Sequence, residues 1–458
     1  MTRSTSSLAL FLSLPVASIP LLGCSKPAHV ERAPPPPDAL AEIAPDLRRP
    51  AAWSTPGEDV TALARAENAP GKEPPPPTRH GVATHTSQVP RVTRTAEGFV
   101  AHIPGARAVA TPAHYDGKIV VGGFGTYEVY ALAAVTGRPA WGLHLSDDGP
   151  TDPACKEGIC VFNTYSCTLF GVSAATGKPL WSWYLGSPQL ATVLVDGELV
   201  FSSYPHAGNP SSPYVVAAFD LKTGEPRWRR WIDAEVNSTP VSDGKRLYVA
   251  TKLGTLYQLA ADDGEVLDVH RNRVTSPPVL TADGVYLGRD RDRTRDNDML
   301  ASSLVLLPTL EAAATQPRLQ VKPAPRPLVA RGGLFTIEQG AVVATNRKTG
   351  RRMWERPLGA EAAADVPAPL AYAGNSILLA TSSGSVLRIE PDTGVVVDGF
   401  AMKHGPIASQ PIAVEGWLYA GTTQGDLVAV DTGDPELTGW DMLGGGPDRR
   451  GSADEGGT

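Results

Sequence analysis

The phrase Thr-Gly-x-x-x-Trp occurs four times in this chain, as Thr136-Gly137 to Trp141, Thr176-Gly177 to Trp181, Thr223-Gly224 to Trp228 and Thr349-Gly350 to Trp354. It belongs to a longer repeat. Gly117, Gly158, Gly197, Gly244, Gly284, Gly332, Gly374 and Gly416 each open a short apolar run, at spacings of 41, 39, 47, 40, 48, 42 and 42 residues. A period near 42 with short, glycine-punctuated strands marks an array of like units, each too small to bury its own faces. In each unit a second alternating run follows, such as "EVYALAA" or "TLYQLAA"; alternation marks half-buried strands. A Thr-Gly or Asp-Gly turn comes next, with glycine supplying the positive φ that the turn requires. The fourth strand carries the tryptophan. The fifth unit has no clear copy of the turn, and Pro308 stands where it should lie.

Four antiparallel strands bury both faces of their sheet only when a neighbouring sheet stands on each side, and a radial arrangement achieves this. The predicted fold is therefore all-β: an eight-bladed β-propeller of four-stranded antiparallel blades. Trp141, Trp181, Trp228 and Trp354 share one register on the outer strand. Each is expected to dock on the adjacent blade and to remove roughly 150–250 Å² from water. Ala96 to Pro112 has the same shape as Val397 to Pro411, so Phe99 to Ile103 reads as a fourth strand with no first three. The eighth unit has the first three and an irregular fourth. Placing the N-terminal strand in the last blade completes both and closes the ring. Truncation beyond Gly105 is then expected to destabilise the domain, and truncation to about Glu97 to be harmless.

The propeller is assigned to residues 97–440 and a C-terminal tail to 441–458. Residues 1–23 read as a signal peptide: Arg3 precedes an apolar stretch, Leu8 to Leu22, broken by Pro15 and Pro20 and shorter than the roughly 20 residues a membrane span needs. Leu21-Leu22-Gly23-Cys24 resembles a bacterial lipobox, which implies cleavage before Cys24 and lipidation of that residue. Ser25 in place of aspartate resembles the outer-membrane default. Residues 24–96 hold two four-proline runs, Pro34 to Pro37 and Pro74 to Pro77, and are expected to be a disordered linker.

A formal net charge of −7 gives no basic field for nucleic acid. Cys155, Cys160 and Cys167 lie close together in what reads as an oxidising compartment. Cys155–Cys160 spans one hairpin turn and is the first disulfide candidate, with Cys160–Cys167 the runner-up. No histidine at ligand spacing accompanies them, so no metal is expected. Asp290, Asp292, Asp296 and Asp298 alternate with arginines, which suits a solvated loop better than calcium.

"FDLKTGEPRW" (Phe219 to Trp228) resembles the repeat of PQQ-type β-propellers, and "GWDMLGGGPDRRG" (Gly439 to Gly451) is similar to a segment found at either end of them. The resemblance spans about 350 of the 458 residues and is specific for fold. The family includes quinoprotein alcohol dehydrogenases and non-catalytic lipoprotein scaffolds of outer-membrane assembly. The quinoprotein pattern has an adjacent Cys-Cys pair over the cofactor, and this chain has none, so no catalytic residue is carried over and neither PQQ nor Ca2+ is expected. The expected object is a non-enzymatic, monomeric propeller. A lipid anchors it at the outer membrane, facing the periplasm or the surface, and loops of one rim bind a protein partner, as in outer-membrane protein assembly. The other readings are a PQQ-dependent quinoprotein dehydrogenase and a surface ligand- or glycan-binding module.

Overall fold

The computed structural model describes residues 59–453 apart from 80–81, 166, 187–191, 207, 210–211, 237–238, 272–273, 275, 283, 291–301, 308–324, 339, 359–367 and 408. Cys24 and most of the Asp-Arg loop lie outside the described residues.

The repeat folds as antiparallel sheets, each running from an inner to an outer strand in chain order. The first blade comprises Ala113–Tyr115, Lys118–Val121, Glu128–Ala133 and Pro139–Leu145. The second comprises Ala154–Lys156, Ile159–Asn163, Thr168–Ser173 and Pro179–Tyr184. The third ends on Pro226–Ile232 and the fourth on Val266–Arg271. A three-stranded sheet follows: Val279–Thr281, Gly284–Asp290 and Ser302–Leu307. Then come a blade ending on Arg352–Pro357 and a penultimate blade ending on Val396–Ala401. In the last blade Gly98–His102 pairs with Asp426–Asp431, which pairs with Trp417–Gly421. The described residues thus form a propeller with seven blades of four antiparallel strands or more, plus the three-stranded sheet. Where the fifth unit has no Thr-Gly turn, no fourth strand is described.

Local chemistry explains the blade. At the first turn both central residues have positive φ, as in Glu157 (48°) and Gly158 (79°), the geometry that matches strand twist. At the second turn Gly177 has φ 71° and its N–H donates to the Ser173 carbonyl at 2.8 Å. A bulge follows in register between Gly171 and Val172, opposite the start of the fourth strand. Bulges increase local twist, and equivalent irregularities recur in the first, third and fourth blades.

Each tryptophan then reaches the next blade. Trp141 donates its indole N–H to the Ala174 carbonyl at 2.9 Å, Trp181 to Leu221 at 2.9 Å, Trp228 to Ala261 at 2.9 Å and Trp354 to Pro391 at 2.7 Å. Each ring lies over the turn glycine of that next blade: a Cβ on Gly177 would come within 2.7 Å of Trp141, and one on Gly224 within 2.5 Å of Trp181. Glycine is therefore needed twice, for φ and for the ring above it. Trp181→Phe should cost about 1–2 kcal/mol, because the buried Leu221 carbonyl loses its donor while most of the packing remains. Chemical denaturation of the variant checks this.

The linker expectation for residues 24–96 is corrected over its described part. Asp59 caps a helix, Val60–Glu67, by accepting the Ala62 N–H at 2.9 Å. The helix packs on the fourth blade: Thr61 Oγ1 donates to Asp268 at 2.9 Å, and Arg65 donates to the Val266 and Leu267 carbonyls at 2.8 and 2.6 Å. Asn68 brackets Trp231 of the third blade, accepting its N–H at 2.7 Å and donating to its carbonyl at 3.2 Å. The Thr78 carbonyl accepts Tyr184 N–H of the second blade at 2.9 Å. Ala83–His85 then adds a strand to the first blade, and Arg91–Arg94 adds one to Gly98–His102 in the last. This strap crosses five blades against their chain order. Its polar backbone is ordered by the free outer edges it satisfies, not by an apolar pattern of its own.

Candidate functional site

Where the innermost strands converge, the chain's own tail lies among them, which corrects its assignment as a segment apart from the propeller. Ala413 exchanges backbone hydrogen bonds with Trp440 at 2.9 and 3.2 Å, and His114 N–H donates to the Asp441 carbonyl at 2.7 Å. Val195 N–H donates to Pro447, Leu280 N–H to Arg450 and Val329 N–H to Gly451. Trp440 is 1% exposed and Arg449 is fully buried.

Among the described residues no carboxylate forms an ion pair with Arg449. Its guanidinium donates to the carbonyls of Val193 (2.9 Å), Leu443 (3.0 Å), Asp152 (3.0 Å) and Pro153 (3.2 Å). Arg326 lies beside it and donates to the Arg449 and Thr239 carbonyls, each at 2.7 Å. Burial lowers Arg449 to about 10, and burial together with the Arg449 charge lowers Arg326 to about 9. Both remain cations at neutral pH, solvated by backbone dipoles from several blades. Burial likewise raises Asp441 and lowers His114, which moves both towards their neutral forms. A cavity of about 410 Å³ opens beside the tail, between Tyr372, Asn375, Trp440, Asp448 and Arg450.

The end of the first two blades formed by the loops between second and third strands is different. Phe124, Tyr127 and Tyr165 are 38%, 47% and 45% exposed, large apolar rings held on ordered backbone. Phe124 lies in a two-residue strand paired with Ala108–Val109, and its carbonyl accepts Arg107 N–H at 2.7 Å. Tyr127 stacks on His144 with centroids 5.9 Å apart. His144 Nδ1 meets Glu128 Oε1 at 2.8 Å, and Glu128 is buried. Tyr165 N–H donates to the Asp148 carbonyl at 3.0 Å, and a Cβ on Gly149 would touch Tyr165 at 3.0 Å and Phe124 at 3.8 Å. Exposed aromatics on a fixed scaffold are the side chains most enriched at protein contact sites. No sequence motif marks them; they come from two units and meet only in the fold.

Cys155 and Cys160 face each other across the first hairpin of the second blade and form a disulfide, Cα to Cα 4.0 Å. Cys167 is buried outside that bond. The described residues include no group of three or more His, Cys, Asp or Glu that could hold a metal ion.

Comparison with known proteins places these features among relatives. The profile of the family described as outer membrane protein assembly factor BamB matches residues 86–209 and 211–447. The outer membrane protein assembly factor BamB of Nitrosomonas eutropha is 26% identical over 151 residues, 30% of this chain and 36% of that protein. The chain thus spans about a third of the length of this curated relative. The crystal structure of BamB from Moraxella catarrhalis superposes with a TM-score of 0.55 at 16% identity, covering 74% of this chain and 100% of that one. The computationally designed Ika8 protein gives 0.54 at 15% identity, covering 72% and 98%. At such identities these structures speak for the fold alone.

Proposed function

Because this chain belongs to the family described as outer membrane protein assembly factor BamB, we propose that it is a non-enzymatic, protein-binding scaffold of the bacterial envelope, working in outer-membrane protein assembly and held at the outer membrane by a lipid on Cys24. The three-stranded sheet is read as an eighth blade, and Gly98–His102 as the strand that closes the ring. Phe99 supports the closure: a Cβ on Gly137 would meet its ring at 2.6 Å, the place that tryptophan takes at the other docked turns. Tyr419 of the last blade donates to the Ala134 carbonyl of the first at 3.1 Å.

The observation that carries the binding role is the rim of Phe124, Tyr127 and Tyr165. Three aromatic rings left in water on rigid loops are unfavourable for an isolated chain and favourable at a contact. The partner is a protein of the envelope. The test is mild crosslinking in membranes followed by affinity capture, with the Phe124→Ala/Tyr165→Ala chain beside the native one. A protein partner should copurify, and its recovery should fall by tenfold or more in the variant, as for paired hot-spot residues at about 2 kcal/mol each. Capture of no protein would end the scaffold reading, and equal capture by the variant would remove the rim from it.

A further inference from the structure

The C-terminal tail makes a circuit of the innermost strands. It starts at the penultimate blade, where Gly374 N–H donates to the Thr438 carbonyl at 3.2 Å. It passes Ala413 of the last blade, His114 of the first and Val195 of the third. It ends at the blade before the penultimate one, where Ala453 N–H donates to the Val329 carbonyl at 2.8 Å. Both ends of the circuit line the cavity of about 410 Å³, and the blades add only Tyr372, Gly374 and Asn375. Those three belong to the hairpin between first and second strands, Ala371–Ala373 and Ser376–Ala380. The cavity therefore opens at the end of the blades opposite Phe124, Tyr127 and Tyr165. Gly439 and Gly444 to Gly446 also line it, so backbone bounds much of the space, and a Cβ on Gly439 would meet nothing within 4 Å.

Two buried donors there have no acceptor. Trp440 is 1% exposed, and its indole N–H has no hydrogen-bond partner. Arg450 Nε lies 2.8 Å from Asp448 Oδ2 as an ion pair, but its N–H is not directed at that oxygen. A buried donor left unpaired is uncommon in a native protein. The carboxylates of the cavity are Glu436, which is exposed, and Asp448, whose carboxyl is pushed up by burial.

We propose that this cavity is a binding site for a neutral saccharide of one or two rings. Its lining sets the single cation of Arg450 against two carboxylates, which counts against an anion. Among the described residues no group of three ligating side chains is present to hold a metal. An apolar ligand would leave the Trp440 donor buried and unpaired. A sugar hydroxyl both donates and accepts, so neighbouring hydroxyls pair with the Trp440 and Arg450 donors and with the Asp448 carboxyl. The rings of Tyr372 and Trp440 give apolar surface to the C–H side of the sugar. The volume is near the lower limit of small-molecule sites, roughly 300–1,000 Å³, which suits a ligand of this size. The site lies apart from the aromatic rim and stands whether or not a protein binds there.

Isothermal titration of the full chain with glucose, galactose, N-acetylglucosamine, maltose and chitobiose tests this. Saturable binding of at least one is expected, at about 1 mM or tighter for a ligand of about 12–25 heavy atoms. Arg450→Met and Asp448→Asn should each weaken it about tenfold or more, while the Arg450→Met chain melts within about 2 °C of the native one. Arg352→Met, on an outer strand, should bind as the native chain does. A tetrasaccharide that binds as tightly as its disaccharide assigns the end of a longer glycan, and one that is excluded assigns a free sugar. Failure of every saccharide to bind at about 10 mM overturns the proposal. So does native-like binding by both cavity variants, or binding of glucose 6-phosphate in preference to glucose.

Discussion

A chain that begins at Ala106 should give no cooperative melt by circular dichroism, whereas one that begins at Ala96 should fold and melt about 5–15 °C below the longer chain. The first truncation removes Gly98–His102 and Ile103. Phe99, Val100, Ala101 and Ile103 are all buried, and the strand pairs along Asp426–Val430. At about 2 kcal/mol for each large side chain and about 1 kcal/mol for each backbone hydrogen bond, the loss exceeds about 8 kcal/mol. That is most of the stability of an ordinary domain, about 5–15 kcal/mol. Of the described residues the second truncation removes only the strap, whose Val60 and Ala64 are buried, whose Ala83 and Val92 pack partly buried against the cores, and which otherwise holds on by hydrogen bonds and by Arg79, paired with Glu225 and stacked over Trp183. A cooperative melt for the Ala106 chain would show that the last blade stands without its N-terminal strand.

The sequence reading expects truncation to Glu97 to be harmless, and the strap is the reason a cost is expected instead. Phe99 to Ile103 was legible because its surroundings mirror Val397 to Pro411. The repeated turns were legible because glycine and tryptophan mark them at fixed distances. The strap has neither mark. Ala83–His85 and Arg91–Arg94 are short and mostly polar, and the prolines around them carry the composition of a spacer. Their order comes from edges contributed by residues 139–145 and 98–102, a tertiary effect that no local window contains.

Arg449→Met should lower stability by about 3–5 kcal/mol, and Arg450→Met by less than about 0.5 kcal/mol. Removing the Arg449 guanidinium leaves the carbonyls of Val193, Leu443, Asp152 and Pro153 without their donor, at about 1–3 kcal/mol for each one left unsatisfied. Relief from burying a lone charge offsets part of this. Arg450 is 34% exposed and pairs with Asp448 at 2.8 Å, an arrangement of little net worth. Urea denaturation gives both values, and limited proteolysis should cut the Arg449→Met tail after Asp434 while leaving the native tail intact. Equal stability of the two variants would mean that the tail rests on Trp440 and the backbone alone.

Nothing in the glycine-rich tail tells its two adjacent arginines apart, so burial of the first was not visible in the sequence. Its carbonyl partners come from three places in the chain and converge only when the blades are in place. The rim was hidden for a related reason. Phe124, Tyr127 and Tyr165 are unremarkable one by one, and their alternating neighbours account for strands, not for which ring stays outside. The turn tryptophans were legible because each solves the same local problem four times; the rim solves its problem once.

The strap runs against the order of the blades it crosses, and this bears on how the polypeptide is made. Gly98 pairs with Val430, so its strand leaves the ribosome about 330 residues before its mate. At about 5–20 residues per second that is on the order of half a minute. Translation delivers this strand long before its mate, and it waits without that pairing edge until the final sheet is made. A part of the polypeptide synthesised early is thus among the last to settle into the sheet.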